Sequence, residues 1–290
     1  LLWSDPLSLI SYLLLLVSII SLWIKQDIKV WGTIVISALV CGILAQRITV
    51  PGIISIFTLG LLYYTVDRDR IKSPIRIAAG VLAIILSVSL TAHILPGFNN
   101  WKILDNIYLS RTSHPYSMYL NMDKPFVGLF ILGLSFPLIK SFKEWASVIQ
   151  SILPILLIGL IILVSISSIT SYTNFDYKFQ SIFFVWALHN LFLTCVAEEA
   201  FFRGFLQRNL CRKLRENRYG NILSLITVSI LFGLAHFAGG FKYIILASVA
   251  GMVYGYAYQK TQRIEAGILC HFAVNTFHFI FLTYPALAAV

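Results

Sequence analysis

The sequence predicts an all-α membrane protein, a polytopic transmembrane helix bundle with about ten membrane segments. Two properties of the whole chain support this class: 58% of its 290 residues are hydrophobic, and only 12% are charged. A soluble protein carries roughly 25% charged residues. The mean hydropathy of +0.83 agrees with a membrane protein. The third observation is a series of long apolar runs, which locates the helices.

The apolar runs follow one another along nearly the whole chain, mostly with short connections. Most reach the roughly 17–25 residues that a helix needs to cross a bilayer. The fifth run is too short to cross without tilting, and a re-entrant segment is the alternative, but we count it as a span because the alternation of loop charges requires one. The runs comprise residues 7–24, 30–46, 48–66, 75–95, 126–139, 148–170, 179–206, 221–239, 243–258 and 264–284.

The net charge of +10 predicts a membrane orientation and no nucleic-acid partner. Lys and Arg are concentrated in every second connection, 207–220 being the richest, and such connections face the cytoplasm. The bias places both termini outside, together with the 96–124 connection that holds Lys102, Arg111 and Lys124. We therefore expect an integral, multi-pass protein in the lipid bilayer, in the plasma (inner) membrane if the host is bacterial.

The 96–124 connection is the one long polar stretch. Aromatic residues such as Trp101 and Tyr108 alternate there with polar ones, a composition typical of the headgroup layer. We predict an external loop with an interfacial helix, and a substrate-binding role is the alternative.

A row of small residues on the ninth run predicts a packing face. Ala247, Gly251 and Gly255 recur every four positions, so they lie on one side of a helix. Small residues in such a row let two helix backbones approach closely. We expect this face to contact a neighbouring helix and to have no chemical role.

Three ionisable residues interrupt the seventh apolar run: Glu198, Glu199 and Arg203. A charged side chain at membrane depth costs about 2.5–3.5 kcal/mol on insertion scales, so such residues are usually paired and functional. Glu199 and Arg203 are one helical turn apart with the acid first, which favours an ion pair. Glu198 points about 100° away, so its partner must come from another helix.

Two later runs carry further polar side chains. His236 follows Phe232 by four residues, which places the ring beside the imidazole on a helix. His271 and Asn275 have the same spacing on the tenth run. Each alone could serve as an interhelical hydrogen-bonding group. Counted at 1.5 Å per residue, Glu198, His271 and Asn275 fall at depths of about 12–18 Å. His236 falls at about 22 Å if its run enters the membrane at Asn221, and at about 17–18 Å if it enters near Ser224 or Leu225. We infer the later entry, which predicts one polar layer nearer the cytoplasmic side.

Three motifs on three helices carry a family resemblance: Glu-Glu-x-x-x-Arg, then Phe-x-x-x-His, then His-x-x-x-Asn. In this order they resemble the CPBP family of CAAX prenyl endopeptidases and bacteriocin-processing-type intramembrane proteases, also called the Abi family. The resemblance implies a protease-like catalytic core at 179–284, in the last four segments, and a transmembrane region of unassigned role at 1–178. The implied activity is that of a glutamate-dependent intramembrane endopeptidase.

The resemblance also implies a role for each motif residue. Glu198 is expected to be the general base, and His236 to bind and polarise the attacking water. His271 and Asn275 are expected to stabilise the oxyanion. The supporting residues, which shape and neutralise the site, are expected to be Glu199, Arg203 and Phe232.

The sequence also leads to expectations about a metal, a substrate and competing functions. No His is followed by Glu, so the HExxH zinc motif does not occur. We expect no metal; the alternative is zinc held by Glu198, His236 and His271, a three-ligand set with an open position. The expected partner is a membrane-anchored peptide or protein substrate. The competing functions are a catalytically silent immunity or scaffold protein of the same fold and, ranked last, a proton-coupled transporter.

Overall fold

Helices make up most of the chain in the computed structural model, which describes residues 5–68 and 70–288. The first five helices are α1 (Pro6–Ile24), α2 (Ile28–Leu44), α3 (Val50–Val66), α4 (Ser73–Thr91) and α5 (Pro125–Ser135). Strands β1 (Trp101–Ile107) and β2 (Tyr116–Leu120) lie between α4 and α5. After α6 (Phe142–Ile169) comes a long helical stretch made of α7 (Phe183–Leu188), a first π-helix (His189–Cys195), α8 (Val196–Glu199), a second π-helix (Ala200–Gln207) and α9 (Arg208–Lys213). The chain then forms α10 (Gly220–Leu234), a 3₁₀ turn (Phe237–Gly239), α11 (Gly240–Thr261) and α12 (Ile264–Phe281).

Each predicted apolar run overlaps one of these helical stretches, which confirms a helical membrane protein. Within the described residues, five helices are long and apolar enough to cross a membrane: α1, α4, α6, α11 with the turn before it, and α12. Four apolar helices are shorter: α2, α3, α5 and α10. The number of crossings and the orientation in the bilayer stay predictions.

The fifth segment is the shortest of the apolar helices. α5 has 11 residues, so it is about 16 Å long at 1.5 Å per residue. The hydrocarbon core of a bilayer is about 30 Å thick, so α5 alone covers only about half of it. This length favours the re-entrant alternative for residues 126–139.

The long polar connection contains two strands, and the interfacial helix predicted there is wrong. In β1, Trp101 and Ile103 are buried while Lys102 between them is exposed, the alternation of a strand with one covered face. Eight residues join the strands, and so short a connection fits an antiparallel hairpin, because parallel strands need a crossover of a dozen or more. The hairpin adds a small sheet to an otherwise helical fold.

The chain divides into two compact units that alternate along the sequence. The first unit comprises Leu1–Ile103, Met118–Leu138 and Phe192–Phe201. The second unit comprises Leu104–Ser117, Ile139–Leu191 and Phe202–Val290. These units do not test the predicted functional division between residues 178 and 179, which stays a prediction.

In the first unit, hydroxyl groups join the helices across their apolar faces. Ser11 Oγ of α1 donates to the Ala38 carbonyl of α2 at 2.7 Å. The Tyr63 hydroxyl of α3 lies 2.7 Å from Ser87 Oγ of α4. Serine hydroxyls that bond a neighbouring helix are a recurring way of joining membrane helices, because the polar group is satisfied without water.

In the second unit, the predicted small-residue row packs closely, and that prediction is confirmed. A Cβ placed on Gly251 would lie 3.2 Å from the Cα of Ser229 in α10. A Cβ on Gly255 would lie 2.6 Å from the Leu225 side chain of the same helix. The row therefore sets the short separation of α10 and α11.

Candidate active site

The two glutamates lie on α8, a single α-helical turn between two π-helices. A π-helix has i→i+5 hydrogen bonds, and such segments inside helices are frequent at functional sites. Glu198 and Glu199 are both buried. An ionised carboxylate is stable away from water only when it is paired or hydrogen-bonded, so the fold must supply partners to both.

Glu198 has its partner on another element, as the sequence predicted, and the partner is Lys124. The Lys124 ammonium lies 2.5 Å from Glu198 Oε1. The two side chains are only 10% and 9% exposed. Lys124 immediately precedes α5, and the two residues are 74 positions apart in the chain. The loop-charge pattern counted Lys124 among external loop cations; its side chain is buried and not exposed in a loop, and the side of the membrane on which it lies stays a prediction.

The segment before Lys124 is held by a buried carboxylate. Asp123 Oδ2 lies 2.7 Å from His93 Nδ1 and accepts a hydrogen bond from the Asn100 amide at 3.2 Å. Its other oxygen accepts the Lys124 backbone N–H at 2.8 Å. Because several groups converge on Asp123, the backbone that carries the Lys124 side chain is fixed.

Arg203, in the second unit, is completely buried among aromatic rings and a backbone carbonyl. Its Nη2 donates to the Gly251 carbonyl of α11 at 2.9 Å. The guanidinium carbon lies 4.6 Å from the centre of the Phe232 ring and 5.6 Å from that of Tyr254. Arginine planes stack on aromatic faces, and such cation–π contacts are stronger when desolvated. The Glu199–Arg203 ion pair stays a prediction.

His236 lies beyond the end of its helix, where the sequence predicted a helix to residue 239. α10 ends at Leu234, and the His236 N–H bonds Gly233 O, a tightened last turn. Gly240 follows with a φ of 82°, a backbone conformation that glycine adopts without strain, and the chain turns into α11. The predicted proximity to Phe232 is nevertheless confirmed, with ring centres 4.7 Å apart.

The contact of His236 with the Phe232 backbone fixes its tautomer. His236 Nδ1 lies 2.7 Å from the Phe232 carbonyl oxygen. Because a carbonyl can only accept, Nδ1 must carry the proton. In the neutral ring, Nε2 is then the nitrogen that accepts a hydrogen bond. His236 is half-buried.

His271 is 4% exposed and stacks on Tyr254, with ring centres 4.6 Å apart and planes 13° from parallel. Phe232 approaches it edge-on at 5.6 Å. Asn275, one turn further along α12, donates from Nδ2 to Asn190 Oδ1 at 3.2 Å. The second unit thus gathers both histidines and Arg203 around the Phe232 ring.

Sequence reasoning missed three residues of these groups. Lys124 could have been noticed as a cation directly before a proline that opens an apolar helix. Asn190 is a polar residue inside the seventh apolar run, which is itself a signal. Tyr254 lies beside the small-residue row of α11, and no sequence pattern distinguishes it from other aromatic residues of the core.

The zinc alternative finds no support in the described geometry. In residues 5–68 and 70–288, no three His, Cys, Asp or Glu side chains are grouped so that they could hold a metal ion. The Lys124 ammonium also contacts Glu198 directly, and a metal cation bound to that carboxylate would be repelled by it. Independence from metal stays a prediction.

Each unit of this helical membrane protein holds part of the motif set: the first has the ion-paired Glu198, and the second has His236, His271 and Arg203 around the Phe232 ring. Residues 180–277 match the sequence model of the type II CAAX prenyl endopeptidase Rce1-like family, so this part of the chain is similar to that family. The match confirms the resemblance inferred from the motifs and supports CAAX-type intramembrane peptidase activity. No curated protein and no solved structure matches the chain.

Proposed function

We propose that the protein is a multi-pass intramembrane endopeptidase that hydrolyses a membrane-anchored peptide or protein with a water activated by Glu198. The observation that carries the proposal is the buried Glu198 carboxylate, which is ion-paired to Lys124. Glu198 lies on a helical stretch within the family match. Ionisable residues buried in membrane proteins are usually functional, and a carboxylate within hydrogen-bond reach of a water can act as a general base.

Glu198 is the general base in this mechanism. The water oxygen attacks the scissile carbonyl carbon while its proton passes to the Glu198 carboxylate. The C–N bond then breaks, and the same proton goes to the leaving amine, which restores the carboxylate. His236 binds the water, because its Nε2 accepts a hydrogen bond when Nδ1 is held by the Phe232 carbonyl.

His271 and Asn275 stabilise the negative charge that develops on the carbonyl oxygen. Donors must be fixed in place before reaction to be effective. His271 is held by its stack on Tyr254, and the Asn275 amide by its bond to Asn190. Glu199 and Arg203 neutralise and shape the site in this proposal, and Arg203 packs against the Phe232 ring at 4.6 Å.

The substrate class follows from the position of the acid. A peptide bond must come to a group at membrane depth, so the substrate is a segment already anchored in the bilayer. The tail of a prenylated CAAX-type protein, a leader peptide and another membrane-anchored tail all meet this condition. The partners in this proposal are the anchored substrate and the lipid bilayer, with no nucleic acid.

Comparison of peptide termini in cell membranes tests the function. Cells expressing the parent protein are expected to contain membrane-protein termini that cells expressing Glu198→Gln lack. Glu144→Gln is the matched control, since Glu144 lies at the exposed start of α6 and pairs with Arg263 at 3.3 Å. Identical terminus sets in all three would contradict the proposal and favour a catalytically silent membrane protein.

Chelation is expected to leave activity unchanged. A cleavage assay is available once a Glu198-dependent terminus is known: purified protein in liposomes with a membrane-anchored peptide spanning that terminus. Exhaustive treatment with a zinc chelator should not alter the rate, because Lys124 supplies the cation next to Glu198. A stoichiometric zinc whose removal abolishes cleavage, and whose addition restores it, would make His271 a metal ligand.

A further inference from the structure

The Lys124–Glu198 pair lies partly outside the family match, since Lys124 precedes residue 180. Taking two charges out of water costs several kcal/mol per ion, and their attraction offsets this only when the geometry is well held. A pair with side chains about 10% exposed and atoms 2.5 Å apart therefore needs a rigid support. The first unit supplies it from two sides.

One support is a close approach of two helices. A Cβ placed on Gly128 of α5 would lie 2.8 Å from the Ala197 Cα and 3.1 Å from the Ala197 nitrogen. Gly128 is one turn after Lys124 on the same helix face, and Ala197 directly precedes Glu198. Only a glycine allows the backbones to approach so closely, and this approach brings the ammonium to the carboxylate.

The other support is the carboxylate before the helix. Asp123 accepts the Lys124 backbone N–H and holds His93 and Asn100. Pro125 follows Lys124 at the start of α5, where its fixed φ suits a first helical position. The backbone of Lys124 is thus fixed on both sides.

We propose that Lys124 is a positioning residue for the reaction: it fixes the Glu198 carboxylate in the orientation from which it takes the water proton. A carboxylate offers about four acceptor positions, and the ammonium takes one of them. When Glu198 has taken the proton, Lys124 lacks its counter-charge, which favours transfer of that proton to the leaving amine. This inference rests on the proposed function of Glu198.

Replacement of the charge tests the role. In the cleavage assay, Lys124→Met is expected to lower kcat by about 100-fold, the loss typical of a misplaced catalytic group, with KM changed less than about threefold. Lys124→Arg, which retains the charge, should recover part of the rate. Lys102→Met is the control, because Lys102 is exposed on β1 and is expected to leave kcat unchanged.

Chemical rescue separates a positioning role from a structural one. Lys124→Ala removes the side chain and leaves space, so added propylammonium should restore part of kcat. Thermal unfolding of each variant gives the folded fraction. A folded Lys124→Met protein with the parent kcat would overturn the proposal, as would a loss of rate that only tracks the loss of folded protein.

Substitution of Gly128 tests the same role without removing a charge. Gly128→Ala adds a methyl group against Ala197, so it should separate the helices and lower kcat. Gly32→Ala is the matched control, because the nearest atom to a Cβ there is 3.8 Å away, an ordinary contact. An unchanged kcat in folded Gly128→Ala would argue against a positioning contact that depends on this approach.

Glu198→Gln in the same assay distinguishes the two proposals. If Glu198→Gln is inactive and Lys124→Met is normal, only the role of Lys124 fails. If Glu198→Gln turns over at the parent rate, the proposed function fails, whatever Lys124→Met does.

Discussion

Glu198→Gln is expected to lower the cleavage rate by about 10²–10⁴-fold, the usual contribution of a general base, and so to background in most assays. Glutamine has nearly the same volume and can still accept a hydrogen bond, but its amide cannot take up the water proton. The loss should therefore appear in kcat, measured with purified protein in liposomes. Glu144→Gln should keep the parent rate.

Glu198→Gln should also lower stability, because it breaks the ion pair with Lys124. Removing one partner of a buried pair typically costs about 3–5 kcal/mol, because the other charge is left uncompensated. Glu198→Gln should therefore unfold at a lower temperature than the parent. The double variant Glu198→Gln with Lys124→Met removes both charges and should recover stability without recovering activity.

This double-mutant comparison separates chemistry from folding. A Glu198→Gln protein that is inactive only in proportion to its unfolded fraction would contradict the role of general base. The double variant is decisive, because it is expected to be both stable and inactive.

Arg203→Leu is expected to cause the second large effect, a loss of stability. Arg203 is completely buried, donates to the Gly251 carbonyl at 2.9 Å and packs against the Phe232 and Tyr254 rings. If Glu199 is its ion partner, as predicted, the change breaks a buried pair and costs about 3–5 kcal/mol. Thermal unfolding in detergent measures the loss, and activity should fall with the folded fraction.

Two further variants serve as comparisons for the loss of stability in Arg203→Leu. Arg203→Lys keeps the charge but loses the planar group that stacks on the rings, so an intermediate stability is expected. Arg263→Leu is the control, because Arg263 forms a partly exposed pair with Glu144, and such surface pairs contribute about 0–1 kcal/mol. An Arg203→Leu protein as stable as the parent yet inactive would show that Arg203 contacts the reacting groups directly.

Some contacts could be predicted from the sequence because they depend on helical spacing. Phe232 and His236 are four residues apart, and their rings are in contact although the helix ends between them. The row that includes Gly251 and Gly255 packs against a neighbouring helix, as its repeat predicted, and that helix is α10. Periodicity of this kind is local, so a single segment carries all the information needed.

The 96–124 connection shows where composition misleads. Aromatic and polar residues predicted an interfacial helix, and the chain forms a hairpin. In the sequence of β1 only Trp101, Lys102 and Ile103 alternate between apolar and polar, which is too short a run to predict a strand. Amphipathic composition alone does not distinguish a helix from a strand, because the period of the pattern decides which side chains share a face.

The sequence by itself determined a helical membrane protein, the positions of its apolar helices and the motif residues of the candidate site. The tertiary structure alone decided that Lys124 contacts Glu198 across 74 residues and that Asn190 orients Asn275 across 85. Such partners depend on which helix faces lie together, as at Gly128 and Ala197, and no local pattern encodes that arrangement. Hydrophobic periodicity fixes what is buried, whereas packing fixes which buried charges meet.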